Sequence, residues 1–454
     1  MTKGFQAKFT IKLPVLLVEG LVFIILLLIP IFENQTAQRA FALLIFAALL
    51  WITEAIPLAL TGLMIPVLAT MMHLATPVAA FSQFANPILF LFMGGFVLAG
   101  ALSLYSLDKL IAQKLISLAR GNFYWSAISL MLATALAACW VTNTAAAAMM
   151  IPLAIGMLTL VNKNNVSPEA KFLMIGIAYS ANIGGIVTMV SSPPNAIGAA
   201  IMNLSFTTWL MYSAPLFLLT FPIMIAFITI YFKPDRKMTI DTMLIKSNPT
   251  PTNRMLVFIF LLTIVLWIMD SVLSPIFKIE DSFSSLVAIL AIFLLFITRI
   301  MNWEEILESI RWDILLLFGG GLTLGMLIES SGLGALLVSQ ISHFATDVPL
   351  FVFLWLIVFF SIVMTEFMSN TASAALILPL LYALAIQLQV NPMILVLPAT
   401  IAASFGFMMP VGTPPNAMVF ATGLIPRKDM LRAGFLVNLL SSIILTSFFY
   451  LLFR

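Results

Sequence analysis

Apolar runs of about twenty residues, the length that spans a bilayer, follow one another from Leu13 nearly to the terminal Arg454. Such runs leave few ways to fold, because lipid offers no hydrogen bonds and the backbone must satisfy itself within helices or a closed barrel. The alternating segments of roughly ten residues that a barrel requires are absent. With 62% hydrophobic and 9% charged residues the chain lies far outside the soluble range. The fold class expected is all-α and polytopic. The first run, 13–32, follows Lys3, Lys8 and Lys12 and lacks a small-residue cleavage site, so it reads as a retained span.

The side-chain inventory excludes several chemistries. One cysteine, Cys139, rules out an internal disulfide framework, and two histidines, His73 and His343, argue against a histidine metal motif or proton relay. No nucleophile with a base, and no paired aspartates, lie within spans, so an enzyme is not expected, nor is a nucleic-acid partner.

Spans are expected near 13–32, 40–53, 58–73, 86–104, 172–204, 207–232, 254–274, 283–299, 312–332, 393–425 and 433–453, which makes about eleven crossings. Those at 172–204 and 393–425 are broken by Pro193-Pro194 and Pro414-Pro415. Two segments remain, 127–160 and 349–387, each with a polar triplet near its middle: Thr142-Asn143-Thr144 and Ser369-Asn370-Thr371. In the first, arms of about 15 residues reach roughly 22 Å, against a hydrocarbon core of about 30 Å. Each segment therefore reads as a re-entrant hairpin with its tip buried in protein or lining a watery cavity.

With the N-terminus cytoplasmic, eighteen of the twenty-one lysines and arginines fall on the cytoplasmic side. The main basic loops hold Lys109, Lys114 and Arg120, then Lys233, Arg236, Lys237, Lys246 and Arg254. An odd number of crossings separates the hairpins, so the first enters from the cytoplasm and the second from outside. Gly94-Gly95 and Gly100 correspond at one constant offset to Gly319-Gly320 and Gly325. The expectation is an inverted repeat, which suits alternating access better than a channel. The domains are then scaffold helices over 1–85, a first repeat over 86–232, a cytoplasmic loop at 233–253, scaffold helices over 254–311 and the rest of the second repeat over 312–454. A multi-pass protein of the cytoplasmic membrane is expected, with the bilayer as its surroundings.

A hairpin tip presents free carbonyls from one half-helix and free N–H groups from the next, so it can hold a cation and an anion side by side. Asn143 and Asn370 offer a carboxamide oxygen to a cation, and Thr144 and Thr371 face the substrate. The proline breaks complete each site, with Pro194, Thr413 and Pro414 toward substrate and the carbonyls at Ser191 and Gly412 toward the cation. New helices are expected to be capped near Asn195 and Asn416. Oxygens without fixed charge suit a hard monovalent ion such as Na+. No lysine or arginine occurs from Trp312 to Pro426, so an anionic substrate must be balanced by helix N-termini and bound cations. Glu366 and Glu54 read as groups satisfied at element ends, Asp270 as interfacial, and the glycine pairs as close packing points.

Trp51-Ile52-Thr53-Glu54-Ala55-Ile56-Pro57, the two triplets, the two Pro-Pro-Asn motifs and Thr365-Glu366-Phe367-Met368 occur in one order along nearly the whole chain. In these features the sequence resembles the divalent anion/sodium symporter (DASS) family. The resemblance implies transport of a small dicarboxylate such as succinate, malate or fumarate, or in other branches citrate or sulfate. It also implies sodium coupling, a homodimer and an elevator-like movement. Carried over by motif, one sodium falls near Thr142, Asn143, Ser191 and Ala138, the other near Thr365, Met368, Asn370 and Gly412, with Thr142 and Ser369 also on the substrate side. The first set departs from the family pattern: Thr142 stands for a serine, Ala138 for a hydroxyl residue and Ser191 for a glycine. Sodium-independent exchange of dicarboxylates is the alternative that these departures leave open.

Overall fold

The computed structural model describes residues 11–105, 107, 121–161, 163, 165–240, 251–279, 282–337 and 348–453. Lys3, Lys8, Lys109, Lys114, Arg120, Lys246, His343 and Arg454 lie outside them. Among the described residues the regular structure is helical, apart from one isolated antiparallel bridge between Asn122 and Thr239.

In chain order the α-helices are α1 (Leu13–Leu28), α2 (Gln35–Thr53), α3 (Leu58–Met71), α4 (Pro77–Ser82), α5 (Pro87–Leu104), α6 (Phe123–Ala138), α7 (Asn143–Leu160), α8 (Pro168–Gly184), α9 (Pro193–Ile201) and α10 (Phe206–Phe232). Then follow α11 (Pro251–Ile268), α12 (Asp270–Ile276), α13 (Phe283–Ile297), α14 (Trp303–Ser309), α15 (Trp312–Ser330), α16 (Leu350–Phe367), α17 (Asn370–Gln387), α18 (Met393–Ala402), α19 (Pro414–Ala421) and α20 (Arg427–Phe453). Polar residues mark many starts. Asn34, Thr76, Asn122, Ser167 and Ser205 accept from N–H groups of the first turns of α2, α4, α6, α8 and α10, and Asn302 with Glu305 forms a capping box on α14.

The chain divides into two compact units. The first comprises Met1–Asn86, Trp312–Asp347 and Ala375–Asn391. Within it α3 and α15 pack backbone to backbone, since a Cβ on Gly320 would lie 2.4 Å from Gly62 Cα and one on Gly319 2.3 Å from the Phe84 ring. The second comprises Pro87–Arg311, Val348–Ala374 and Pro392–Arg454. There Gly94 abuts Ala288 and Gly95 abuts Val190 at similarly short range. Small residues let apolar helices approach without a hydrophobic drive, so both glycine pairs are packing points.

Eight helical segments among the described residues are long and apolar enough to cross a membrane, and the pair α11–α12, bent by 76°, makes a ninth. Three expected spans, α1, α3 and α13, are shorter, while three hairpin arms, α7, α16 and α17, reach 18 residues. In the first hairpin α7 is thus longer than the 15 residues expected, and α7 and α17 both run unbroken through their interior prolines, Pro152 and Pro379. Neighbouring groups in membrane helices re-satisfy the backbone that a proline frees. The first hairpin begins at Phe123, capped by Asn122, rather than at 127. Asp270 is buried at the α11–α12 bend and accepts from Ser284 Oγ.

Candidate functional site

Both hairpin tips and both helix breaks lie in the second unit. At the first tip α6 closes with tight backbone bonds from Trp140 and Val141 to Ala137 O. Thr142 is extended and its Oγ1 accepts from Ala145 N at 3.3 Å, so it caps α7, and Asn143 is the first helical residue. The second tip repeats this: Met368 is extended, Ser369 Oγ accepts from Ala372 N at 3.2 Å, and Asn370 begins α17. With its lone pair on the helix, each capping hydroxyl keeps its proton for a ligand. Thr142, Thr144, Ser369, Asn370 and Thr371 are half-buried, and Asn143 is buried.

The two breaks are tied by one device used twice. Asn195 Nδ2 donates to Gly185 O and Thr188 O, both at 2.8 Å, ten and seven residues back. Asn416 Nδ2 donates to Gly406 O at 2.9 Å and Met409 O at 3.0 Å, again ten and seven residues back. The capping positions are therefore Ser192 and Thr413, three residues before the asparagines expected to cap. The prolines at N1 and N2 need no N–H partner there, so the asparagines are free to reach back into the break.

Two carbonyl acceptors fix the nitrogen of each amide inward and so fix its oxygen on the opposite side. The Oδ1 atoms of Asn195 and Asn416 are buried without a hydrogen-bond partner, as are those of Asn143 and Asn182. Orphaned buried oxygens are costly and call for an explanation, of which a bound cation is one. The Asn143 carboxamide lies against Gly185, where a Cβ would sit 2.0 Å from Oδ1, so only glycine fits. Ser191 Oγ donates to the same Gly185 carbonyl and to Thr188 O at 2.7 Å. Asn143 and Ser191, singled out by sequence, thus converge on Gly185. Ala138, buried, adds no side-chain oxygen.

At the second tip Thr365 Oγ1 lies 2.6 Å from Asn370 Oδ1 and 2.9 Å from Ala403 O. Three oxygens share one proton there, a donor set that suits a hard cation. Gly412 packs instead over Glu366, its hypothetical Cβ lying 2.7 Å from Oε2, and Met368 is buried beside the tip. Pro194 is buried and Pro414 exposed. Thr413 Oγ1 accepts from Asn416 N at 3.4 Å and from Asn182 Nδ2 at 3.1 Å.

Sequence reasoning missed Asn182 and gave Glu366 too slight a place. Glu366, 1% exposed, accepts from Met408 N and Met409 N at 2.7 Å and from Asn438 Nδ2 at 2.6 Å. Its carboxylate is satisfied by three charge-assisted bonds and braces the second break. Asn182 joins the breaks through Gly406 O and Thr413, and Ser192 Oγ meets Ser404 Oγ at 3.2 Å. The available signal was the rule that polar side chains inside spans are functional by default.

Residues 48–400 match the family model described as citrate transporter, CitMHS. The chain is 39% identical to an uncharacterized transporter of Haemophilus influenzae, covering 96% of each chain. It is 34% identical to the sodium-dependent dicarboxylate transporter SdcS of Staphylococcus saprophyticus, covering 96% of this chain and 90% of that one. Its fold is similar to the crystal structure of the Alcanivorax borkumensis YdaH transporter, with a TM-score of 0.59 at 14% identity over 88% of this chain and 97% of that one. The chain is a membrane transporter that belongs to the CitMHS citrate-transporter family and, as its motifs imply, to the related divalent anion/sodium symporters.

Proposed function

We propose that this transporter moves C4-dicarboxylates of the succinate, malate and fumarate type across the cytoplasmic membrane by sodium-coupled symport. The observation that carries this reading is the duplicated pair of a capped tip and an asparagine-tied break. Each pair sets at least one buried, partnerless carboxamide oxygen near a helix N-terminus, those of Asn143 and Asn195 in the first and that of Asn416 in the second. Asn370, Thr365 and the Ala403 carbonyl would hold one Na+, with Met368 and Gly412 closing its surroundings. Asn143, with Thr142 and the Ser191 region, would hold the other. The cations supply positive charge that the side chains lack. The hydroxyls of Thr142, Thr144, Ser369 and Thr371, the helix N-termini and the breaks at Pro194, Thr413 and Pro414 then receive the carboxylates. A relative at 34% identity is named a sodium-dependent dicarboxylate transporter, which supports both substrate class and ion.

The working arrangement is two repeats in opposite orientation, each with a re-entrant hairpin, alternating in access, with the N-terminus cytoplasmic. A homodimer with elevator movement comes from the family resemblance. One observation favours a second reading. Ala138 occupies the place at the first tip that Thr365 occupies at the second, so the first donor set is one hydroxyl short. Sodium-independent exchange is that alternative.

Labelled succinate uptake into proteoliposomes separates them. Symport gives uptake that follows an inward sodium gradient and needs no internal substrate. Uptake that ignores sodium but requires unlabelled dicarboxylate inside would leave the exchanger.

A further inference from the structure

We infer that the groove between α6 and α10 is a binding site for one anionic phospholipid, its phosphate on Arg236 and an acyl chain along the groove. The depression has a volume of about 430 Å³ and is lined by Trp125, Ile128, Pro222, Ala226 and Ile230, with Tyr124 and Arg236 at one end. Its origin is local. Pro222 interrupts the backbone bonding of α10, and Ala226, four residues on and therefore on the same face, fills little of the space beside it. Trp125 and Ile230 stand 58% and 69% exposed at the rim.

The polar end is built rather than incidental. Residues 238–240 run antiparallel to 121–123, with Phe123 N donating to Met238 O at 2.9 Å and Ile240 N to Gly121 O at 2.7 Å. Asn122 Nδ2 donates to the Arg236 carbonyl at 2.9 Å, which fixes that backbone. The guanidinium lies 5.3 Å from the centroid of the Tyr124 ring, and that ring is itself held by the 3.2 Å contact of its hydroxyl with Thr229 Oγ1. The nearby carboxylates have other employment: Asp235 Oδ1 accepts from Lys237 N, and Glu169 accepts from Asp235 N and faces Lys163. Among the described residues none forms an ion pair with Arg236. Lys233 and Lys237 lie exposed on either side.

An arginine fork matches a phosphodiester in two hydrogen bonds, and an apolar trough running from it along two helices matches an acyl chain. A free phosphate would use only the first feature, and a zwitterionic lipid would bring a quaternary ammonium beside Arg236, Lys233 and Lys237, where an anionic headgroup brings none. In the proposed orientation this end is cytoplasmic, where anionic lipids draw basic segments to the surface.

The test is thermal melting of the delipidated full-length protein in detergent, titrated with phosphatidylglycerol, with phosphatidylcholine of the same chains, and with sodium phosphate. Phosphatidylglycerol should stabilise saturably and at least ten times more tightly than phosphatidylcholine. Arg236→Gln should remove that preference, Arg236→Lys should keep part of it, and Ala226→Trp should block the groove, each variant first matching the parent's melting without lipid. Equal effects of the two lipids, an unchanged preference in Arg236→Gln, or an equal shift from phosphate alone would overturn the site. Loss of a dimer in Ala226→Trp would assign the groove to a second copy and overturn it too.

Discussion

The two helix breaks share one knot and are braced in opposite senses. In the first, donors occupy the carbonyls. Asn195 and Ser191 serve Gly185 O and Thr188 O, Trp209 Nε1 serves Ile186 O at 3.1 Å, and Ser213 Oγ serves Val187 O at 2.6 Å. In the second, acceptors occupy the N–H groups. Glu366 takes Met408 N and Met409 N, and Asn438 Oδ1 takes Phe407 N at 3.3 Å. The cross-link runs from break to hairpin arm in both but exchanges side chain for backbone: Thr188 Oγ1 donates to the Cys139 carbonyl, whereas Met409 N donates to the Glu366 side chain. A break held by its amides keeps carbonyls for a cation, and it is there that the Thr365, Asn370 and Ala403 oxygens meet. A break held by its carbonyls has fewer left to offer. Under the proposed sodium coupling, the second site would be the better organised for a cation and the first would rely more on Asn143 itself.

The brace is where the comparison breaks most easily. Glu366→Ala strands two backbone N–H groups and the Asn438 amide, each an unpaired buried donor costing about 1–3 kcal/mol. A loss of about 3 kcal/mol or more is expected, read as a large drop in melting temperature in detergent, whereas Ser191→Gly should cost under about 1 kcal/mol because Asn195 retains both carbonyls. Equal losses from the two variants would mean that the breaks are not braced differently. Gly412→Ser should resemble the first variant, since its side chain would enter the Glu366 carboxylate.

The tips come next. Asn370→Ala removes an oxygen from the second donor set and should reduce sodium-driven uptake at least tenfold, about 1.4 kcal/mol, in protein that still folds. Ala138→Thr should act in the other direction at the first tip, supplying the hydroxyl that Thr365 supplies at the second and giving the lone Asn143 Oδ1 a partner. The measurement is the sodium concentration for half-maximal stabilisation, and Ala138→Thr should lower it severalfold. An unchanged concentration would remove the first tip from cation binding.

The tips and breaks were legible in sequence because asparagine, hydroxyl residues and paired prolines are expensive in lipid and stand out against it. Thr142 and Ser369 were read as tip residues, and their hydroxyls prove to cap the helices that follow. What was not legible depends on a fold that returns the chain on itself. Nothing in Pro193-Pro194-Asn195 says that its amide reaches ten residues back rather than capping its own helix, because an asparagine can do either. Glu366 was read as satisfied at an element end, but its partners lie 42, 43 and 72 residues away. The first hairpin begins at Phe123, before its expected start at 127, because Asn122, a polar residue just ahead of an apolar stretch, caps its first helix.

The smallest effect tests the same contrast at the caps. Thr413 Oγ1 accepts from Asn416 N and from Asn182 Nδ2, so it both starts α19 and joins the two breaks. Ser192 holds the corresponding place before α9 but makes no side-chain cap bond, its hydroxyl lying against Ser404 Oγ instead. Thr413→Ala should therefore cost about 1–2 kcal/mol, a lost cap together with an unpaired amide, and Ser192→Ala about 0.5 kcal/mol, since Ser404 keeps its own rotamer freedom to find a partner. In a double-mutant cycle Thr413→Ala and Asn182→Ala should couple by at least about 0.5 kcal/mol. Additive losses would mean that Asn182 holds the second break through Gly406 alone, and the hydroxyl would then count only as a cap.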